Sequence, residues 1–316
     1  MGRSGPFCHG MRKRTERLTD AAAGRKEVQI MQLNPILKRE ITVQSRGFTL
    51  PFMVSGINLA LFLAALLGTF GVMTRMRLSS ERMYGAFLLI YALVIALGFL
   101  LLLFITPSMT ASSISSERAS QTLDLLLTTQ LSPWRIISGK LSAAAWKLCM
   151  LLCSSVPAML LPLLYGGIGV SEAVAMLLVF AAEAAVLLCI GLYASTLSAH
   201  TARTTAAAYG ITVGLCAGLP AVCLLISPFC RNGNNISAYL LLLDPLMNVL
   251  CLLASQTGYG ELFSQLFHRL SLVPDPAVLR FFIPLSLAVQ LTAAFFLLLL
   301  TVVNITPRRT KHRQKV

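Results

Sequence analysis

The chain has 316 residues, 56% of them hydrophobic and 12% charged, with a mean hydropathy of +0.76. A soluble domain is roughly half apolar and about a quarter charged, so this chain lacks the charge to coat a water-facing surface, which argues against a soluble enzyme. Its net charge of +14 would suggest nucleic acid in a soluble protein, but beside this apolar content the basic residues report membrane orientation, and no nucleic-acid partner is expected.

In chain order, residues 1–30 are rich in Gly, Arg and Ala with no apolar period, the composition of a disordered leader. Lys26-Glu27-Val28 can also be encoded AAG-GAG-GTG, which contains a bacterial ribosome-binding sequence ahead of Met31. Translation is therefore expected to begin at Met31, leaving a net charge of +10. Residues 31–49 follow as an expected cytoplasmic interfacial helix. Asn34 suits its N-cap and Pro35 its first turn, while Lys38, Arg39 and Arg46 can meet anionic lipid headgroups.

An apolar domain occupies 50–303. A transmembrane helix needs about 20 mostly apolar residues, and six windows supply them: 50–73, 84–105, 141–165, 173–197, 204–226 and 281–303. Orientation follows from Lys and Arg in the connections. The tails and even-numbered loops carry nineteen and the opposite side six, which predicts cytoplasmic termini. The fold class expected is an all-α, multi-pass integral membrane protein with six transmembrane helices and a basic cytoplasmic tail at 304–316. Its first span follows too long a basic tail, with no cleavage pattern, to be a signal peptide.

The loop between spans 2 and 3 carries the most information. Pro107 is expected to end span 2. Ser115 or Ser116 can cap a short helix whose first turn holds Glu117, favourable at the positive end of a helix dipole. Leu123, Leu126, Leu127 and Leu131 then share one helical stripe. Ser132-Pro133 restarts a helix as cap and first residue, and it runs through Gly139-Lys140 into span 3.

These residues resemble a pattern of the ABC-2 type permeases, the membrane half of ATP-driven exporters. That pattern has a proline after span 2, Ile-Ser-x-Glu-Arg-Glu, Gly-Thr-Leu-Glu with leucines, Pro-Leu-Ser-Pro, and a Gly-Lys at the next span. The chain supplies Pro107, Ile114, Ser115, Glu117, Arg118, Thr122, Leu123, Asp124, Leu131, Ser132, Pro133, Gly139 and Lys140, and departs at Ala119, Gln121 and Gln130. The opening run from Asn34 to Glu40 is also similar, so the resemblance covers residues 31–316. It implies a cytoplasmic coupling helix between spans 2 and 3 that seats in a separate ATPase subunit, with Glu117, Arg118, Thr122, Leu123 and Asp124 at the contact. It further implies a second permease, as homodimer or related heterodimer, and residence among the lipids of a bacterial cytoplasmic membrane. The chain has no phosphate-binding Gly-x-x-x-x-Gly-Lys-Ser/Thr loop. No cofactor is expected on it, and ATP and magnesium belong to the partner.

Lys147 and Glu183 are the charges at membrane depth, where ionisable residues are functional by default. Lys147 can snorkel to the cytoplasm. Glu183 serves either the translocation path or an interhelical hydrogen bond. Between spans 5 and 6 the external segment 227–280 contains a short apolar stretch, 239–254, with Asp244-Pro245 near its start. It reads as a re-entrant or interfacial helix rather than a span. Eight cysteines form no Cys-x-x-Cys pair; Cys149 and Cys153 share a face of span 3, and Cys230 and Cys251 on the external side either pair or stay free. The four histidines lie outside the spans, so no metal site is expected. The spans are generically aliphatic and single out no substrate. By itself the apolar scaffold also suits an ion-gradient-driven secondary transporter or a non-transporting membrane anchor, although no internal repeat is visible.

Overall fold

A computed structural model describes residues 49–76, 83–122, 132–164, 168–226, 236–258 and 276–306. The leader, the interfacial helix up to residue 48, the leucine stripe and the tail beyond residue 306 lie outside the described residues. What is described is all helical, with six helices long and apolar enough to cross a membrane. The chain is thus a multi-pass membrane protein.

Span 1 is α1 (Thr49–Met76) and span 2 is α2 (Met83–Ala111). A short helix α3 (Ser115–Ala119) follows, then span 3 as α4 (Pro133–Leu164) and span 4 as α5 (Val170–Thr196). Span 5 is built from α6 (Thr201–Val213), a π-helical turn at Gly214–Gly218 and α7 (Leu219–Ile226). Two short helices, α8 (Ile236–Leu241) and α9 (Pro245–Thr257), precede span 6, α10 (Pro276–Ile305).

The span boundaries agree with the apolar windows except at Pro107. That proline lies inside α2, which continues one further turn to Ala111. Proline removes one backbone donor and crowds the preceding turn, but packed membrane helices tolerate it where neighbours re-satisfy the backbone. Here α5 packs against that turn, and Tyr209 of span 5 donates its hydroxyl to the Phe104 carbonyl at 2.7 Å. Gly191 lies so close to α2 that a Cβ there would overlap Thr110 Oγ1 and approach the Pro107 carbonyl.

Span 4 is the axis of the bundle. It packs against α2, α4, α6, α9 and α10, and its second half, from Val186 to Thr196, is buried almost without interruption. A helix apolar on all sides belongs in a protein interior or in lipid; small residues such as Ala184, Gly191 and Ala194 let neighbours approach α5 closely. Span 1 is peripheral, exposing Phe52, Leu67 and Phe70 as lipid-facing residues do. It is tied inward by an Asn58 Nδ2 bond to Ser154 Oγ of span 3 at 2.9 Å.

The stretch with Asp244-Pro245 folds as a helical hairpin, not a span. Asp244 caps α9, its side chain accepting the Leu246 N–H at 2.9 Å, with Pro245 in the first turn. At its other end α9 stops at Gly258, whose φ of +73° suits a glycine C-cap. There Gln256 donates to the Glu172 carbonyl at 2.7 Å and accepts from the Tyr91 hydroxyl at 2.9 Å. Since Glu172 begins span 4 and Asn248 reaches Glu183 eleven residues along it, α9 runs antiparallel to α5, its capped end deep in the bundle.

Candidate functional site

The ends of spans 2, 4 and 6 and the starts of spans 3 and 5 gather at one end of the bundle, around α3. After Ala111 the chain closes a turn, with Ser113 N–H donating to the Thr110 carbonyl at 3.0 Å. It then enters α3 without a side-chain cap. The expected serine cap is therefore replaced: Ser115 is already helical, and its hydroxyl lies 3.0 Å from Thr204 Oγ1 at the start of span 5. Glu117 does occupy the first turn.

Below the turn, Ile114 is fully buried and packs with Ile137, Leu192 and Ile305, contributed by spans 3, 4 and 6. Polar contacts then tie the turn to three spans. Arg118 Nη1 donates to the Thr196 carbonyl at 3.0 Å, a cation at the negative end of span 4. Thr196 Oγ1 in turn accepts from Asn304 Nδ2 of span 6 at 3.3 Å. Lys140, 4% exposed, pairs with Glu117 Oε1 at 2.9 Å and donates to the Ser113 carbonyl at 2.8 Å. A buried ammonium in apolar surroundings is tolerated only when paired in this way.

The outer surface of the turn is formed by Ser116, Ala119, Ser120, Gln121 and Thr122, all exposed. Thr122 Oγ1 donates to the Glu117 carbonyl at 3.2 Å and lies 3.0 Å from Ser120 Oγ. Gln121 has a φ of +58°. That left-handed backbone is what a glycine adopts freely, and this is where the chain carries Gln in place of the glycine of the permease pattern. Leu123 and Asp124, expected in the same contact, lie outside the described residues. Ser132 starts span 3 by accepting from the Arg135 and Ile136 N–H groups.

Behind the turn is a cavity of about 300 Å³ whose polar lining comprises Ser112, Ser113, Ser116, Glu117, Lys140 and Lys147. Lys147 thus faces the same end of the bundle as α3. Glu183 lies elsewhere. It is fully buried, and its Oε1 accepts from Asn248 Nδ2 at 2.7 Å, so among the two roles left open for it an interhelical bond is formed. Sequence reasoning missed Asn248 and Gln290. The signal for Asn248 was present: it follows Asp244 by four residues, within the apolar first two turns of α9. Cys251 is buried and free, while Cys230 is outside the described residues. No group of three or more His, Cys, Asp or Glu able to hold a metal occurs among the described residues.

Residues 90–306 match the model of a family described as ABC-2 family transporter protein. The match includes the turn, every residue of its clasp and the α8–α9 hairpin. No curated protein matches the chain.

Proposed function

The chain belongs to the ABC-2 transporter family, and from that premise we propose that it is the membrane-spanning permease subunit of an ATP-driven exporter in a bacterial cytoplasmic membrane. Both termini and α3 face the cytoplasm in this reading, which the nineteen-to-six split of Lys and Arg supports. ATP and magnesium bind a separate ATPase subunit, and a second permease completes the pore.

The observation that carries this reading is the bonding of α3 to spans 3, 4 and 5 at once, through Glu117–Lys140, Arg118–Thr196 and Ser115–Thr204. A load applied to the outer face of the turn reaches three helices through short, partly buried polar contacts instead of dissipating in a loop. Glu117 and Arg118 act as positioning residues that hold the turn to the bundle. Ser116 and Ala119 to Thr122 form the face offered to the ATPase, and the family pattern adds Leu123 and Asp124 to the contact. Closure of two ATPases on ATP would press this face and re-pack the spans between two arrangements.

Affinity purification of the tagged full chain from its native host tests the proposal. An ATPase bearing a phosphate-binding Gly-x-x-x-x-Gly-Lys-Ser/Thr loop is expected to co-purify, and Ser120→Arg combined with Asp124→Arg is expected to release it while the permease stays folded. Recovery of the wild-type permease without any such ATPase would overturn the reading. So would transport that survives ATP depletion and collapses with the ion gradient.

A further inference from the structure

Far from α3, the α8–α9 hairpin meets spans 4, 5 and 6 through a polar core sealed inside the bundle. Glu183 of span 4 and Asp244 and Asn248 of the hairpin are fully buried, and Gln290 of span 6 is 1% exposed. Asn248 Nδ2 donates to Glu183 Oε1 at 2.7 Å. The Asp244 side chain accepts from Leu246 N–H, and its charge bears on Glu183. Ser286 Oγ and Gln290 Nε2 both donate to the Leu242 carbonyl, at 2.5 and 3.2 Å. Span 5 closes the core with its π-helical turn, where the Cys216 thiol meets the Leu246 N–H. Such turns recur at functional sites.

The hydrogen-bond inventory of this core does not balance. Asn248 Nδ2, Gln290 Nε2 and Ser286 Oγ each have an acceptor, and the four polar atoms left without a partner are all acceptors: Glu183 Oε2, Asp244 Oδ2, Asn248 Oδ1 and Gln290 Oε1. An unpaired buried acceptor is costly in a medium without water. The titratable groups facing one another are Glu183 from span 4, Asp244 from the hairpin, and Cys216 and Cys223 from span 5. Span 6 brings the neutral Ser286 and Gln290, and Tyr91 of span 2 lies at the far end of the hairpin beside Gln256. Asn248 and Asp244 act on the Glu183 carboxyl, and the N–H groups of Leu246 and Met247 on that of Asp244. A proton on each carboxyl would turn two of these orphaned acceptors into donors and supply the core with the hydrogens it lacks.

We propose that Glu183 and Asp244 form a buried proton-binding pair whose protons complete this core and lock the α8–α9 hairpin between spans 4, 5 and 6. Loss of a proton breaks one O–H bond, leaves the electron pair on a carboxylate facing a second carboxyl, and passes the proton to water. The hairpin then loosens from span 4. Asp244 supports this, since burial pushes its carboxyl up to about 7 against the Leu246 and Met247 N–H bonds that hold it down. The pair needs neither ATP nor a partner subunit, so it stands or falls apart from the exporter reading.

Infrared spectroscopy of the full chain in lipid nanodiscs at pH 6 tests it, because exposed carboxyls are ionised there. Two carboxylic-acid C=O bands sensitive to deuteration are expected, one lost in Glu183→Gln and the other in Asp244→Asn, and both titrating away at alkaline pH. Maleimide labelling of Cys251, buried in α9, should rise with the same titration in the wild type. In the Glu183→Gln/Asp244→Asn double variant that rise should be lost. A wild-type spectrum at pH 6 without acid bands overturns the proposal, whether waters or a cation such as sodium fill the core, and that measurement decides even if a variant fails to fold. Acid bands untouched by both substitutions overturn it equally.

Discussion

Lys140 Nζ lies 2.9 Å from Glu117 Oε1 and 2.8 Å from the Ser113 carbonyl oxygen, so one buried ammonium closes the turn after span 2 onto the first turns of span 3. The pair is asymmetric: Lys140 is 4% exposed and Glu117 is 25% exposed. Glu117 therefore serves Lys140 more than the reverse.

Replacing Glu117 with Gln takes away the carboxylate that pairs with the buried Lys140 ammonium. Breaking a buried pair costs about 3–5 kcal/mol, and the partial exposure of Glu117 reduces that to roughly 1–3 kcal/mol here. The thermal midpoint in detergent is expected to drop accordingly. Lys140→Met removes the buried charge as well and should be milder than Glu117→Gln. The reverse order of midpoints would show that the pair does not hold the turn.

Gln121 should be improved by glycine. A non-glycine residue in left-handed backbone carries a penalty of about 1–2 kcal/mol, partly offset by the greater freedom of glycine in the unfolded chain. Gln121→Gly is expected to stabilise by roughly 0.5–1 kcal/mol, and Gln121→Val, with a β-branched side chain, to destabilise. Equal midpoints for the two variants would refute the left-handed turn.

Gly191→Ala should disrupt the contact between spans 2 and 4. Its Cβ would overlap Thr110 Oγ1, and overpacking of this kind costs about 1–3 kcal/mol. Adding Thr110→Ala removes the colliding oxygen, so most of the loss should return in the double variant. A thermodynamic cycle of the four proteins measures this coupling. Strict additivity would mean that the two helices are not in contact there.

Stability should fall as pH rises from about 4 to 7. The Asp244 carboxyl stands near 3.8 when exposed and is pushed up to about 7 by burial in the fold. The folded state therefore binds the proton more tightly, so the contribution is complete below the unfolded value and lost as pH climbs through the folded one. Thermal midpoints across that window should decline in the wild type and decline less in Asp244→Asn, which keeps a capping side chain. A wild-type midpoint that rises from pH 4 to 7 with a slope removed by Asp244→Asn would contradict this sign.

The loop between spans 2 and 3 shows where sequence reasoning succeeds and where it stops. Pro133 as the first residue of span 3 and Glu117 in the first turn of α3 follow from local rules, and both hold. Pro107 as the end of span 2 rested on a local rule too, and it fails because a neighbouring helix is packed against the proline-bearing turn. The serine cap fails for a similar reason, since the Ser115 hydroxyl reaches Thr204, eighty-nine residues on.

The sequence by itself determined the six spans, the short apolar stretch that does not span, and the place of the turn that carries the family pattern. Each is a property of a contiguous stretch: apolar length against membrane thickness, a proline or cap at a boundary, a motif within one loop. Tertiary structure alone decided the partners. Glu183 finds Asn248 sixty-five residues away, Arg118 the last carbonyl of span 4, and Lys140 the turn behind it. In nearly uniform apolar helices, hydropathy says little about which way each helix rotates about its axis. Rotation is set by close packing at residues such as Gly191 and by the few polar side chains that must find one another where there is no water.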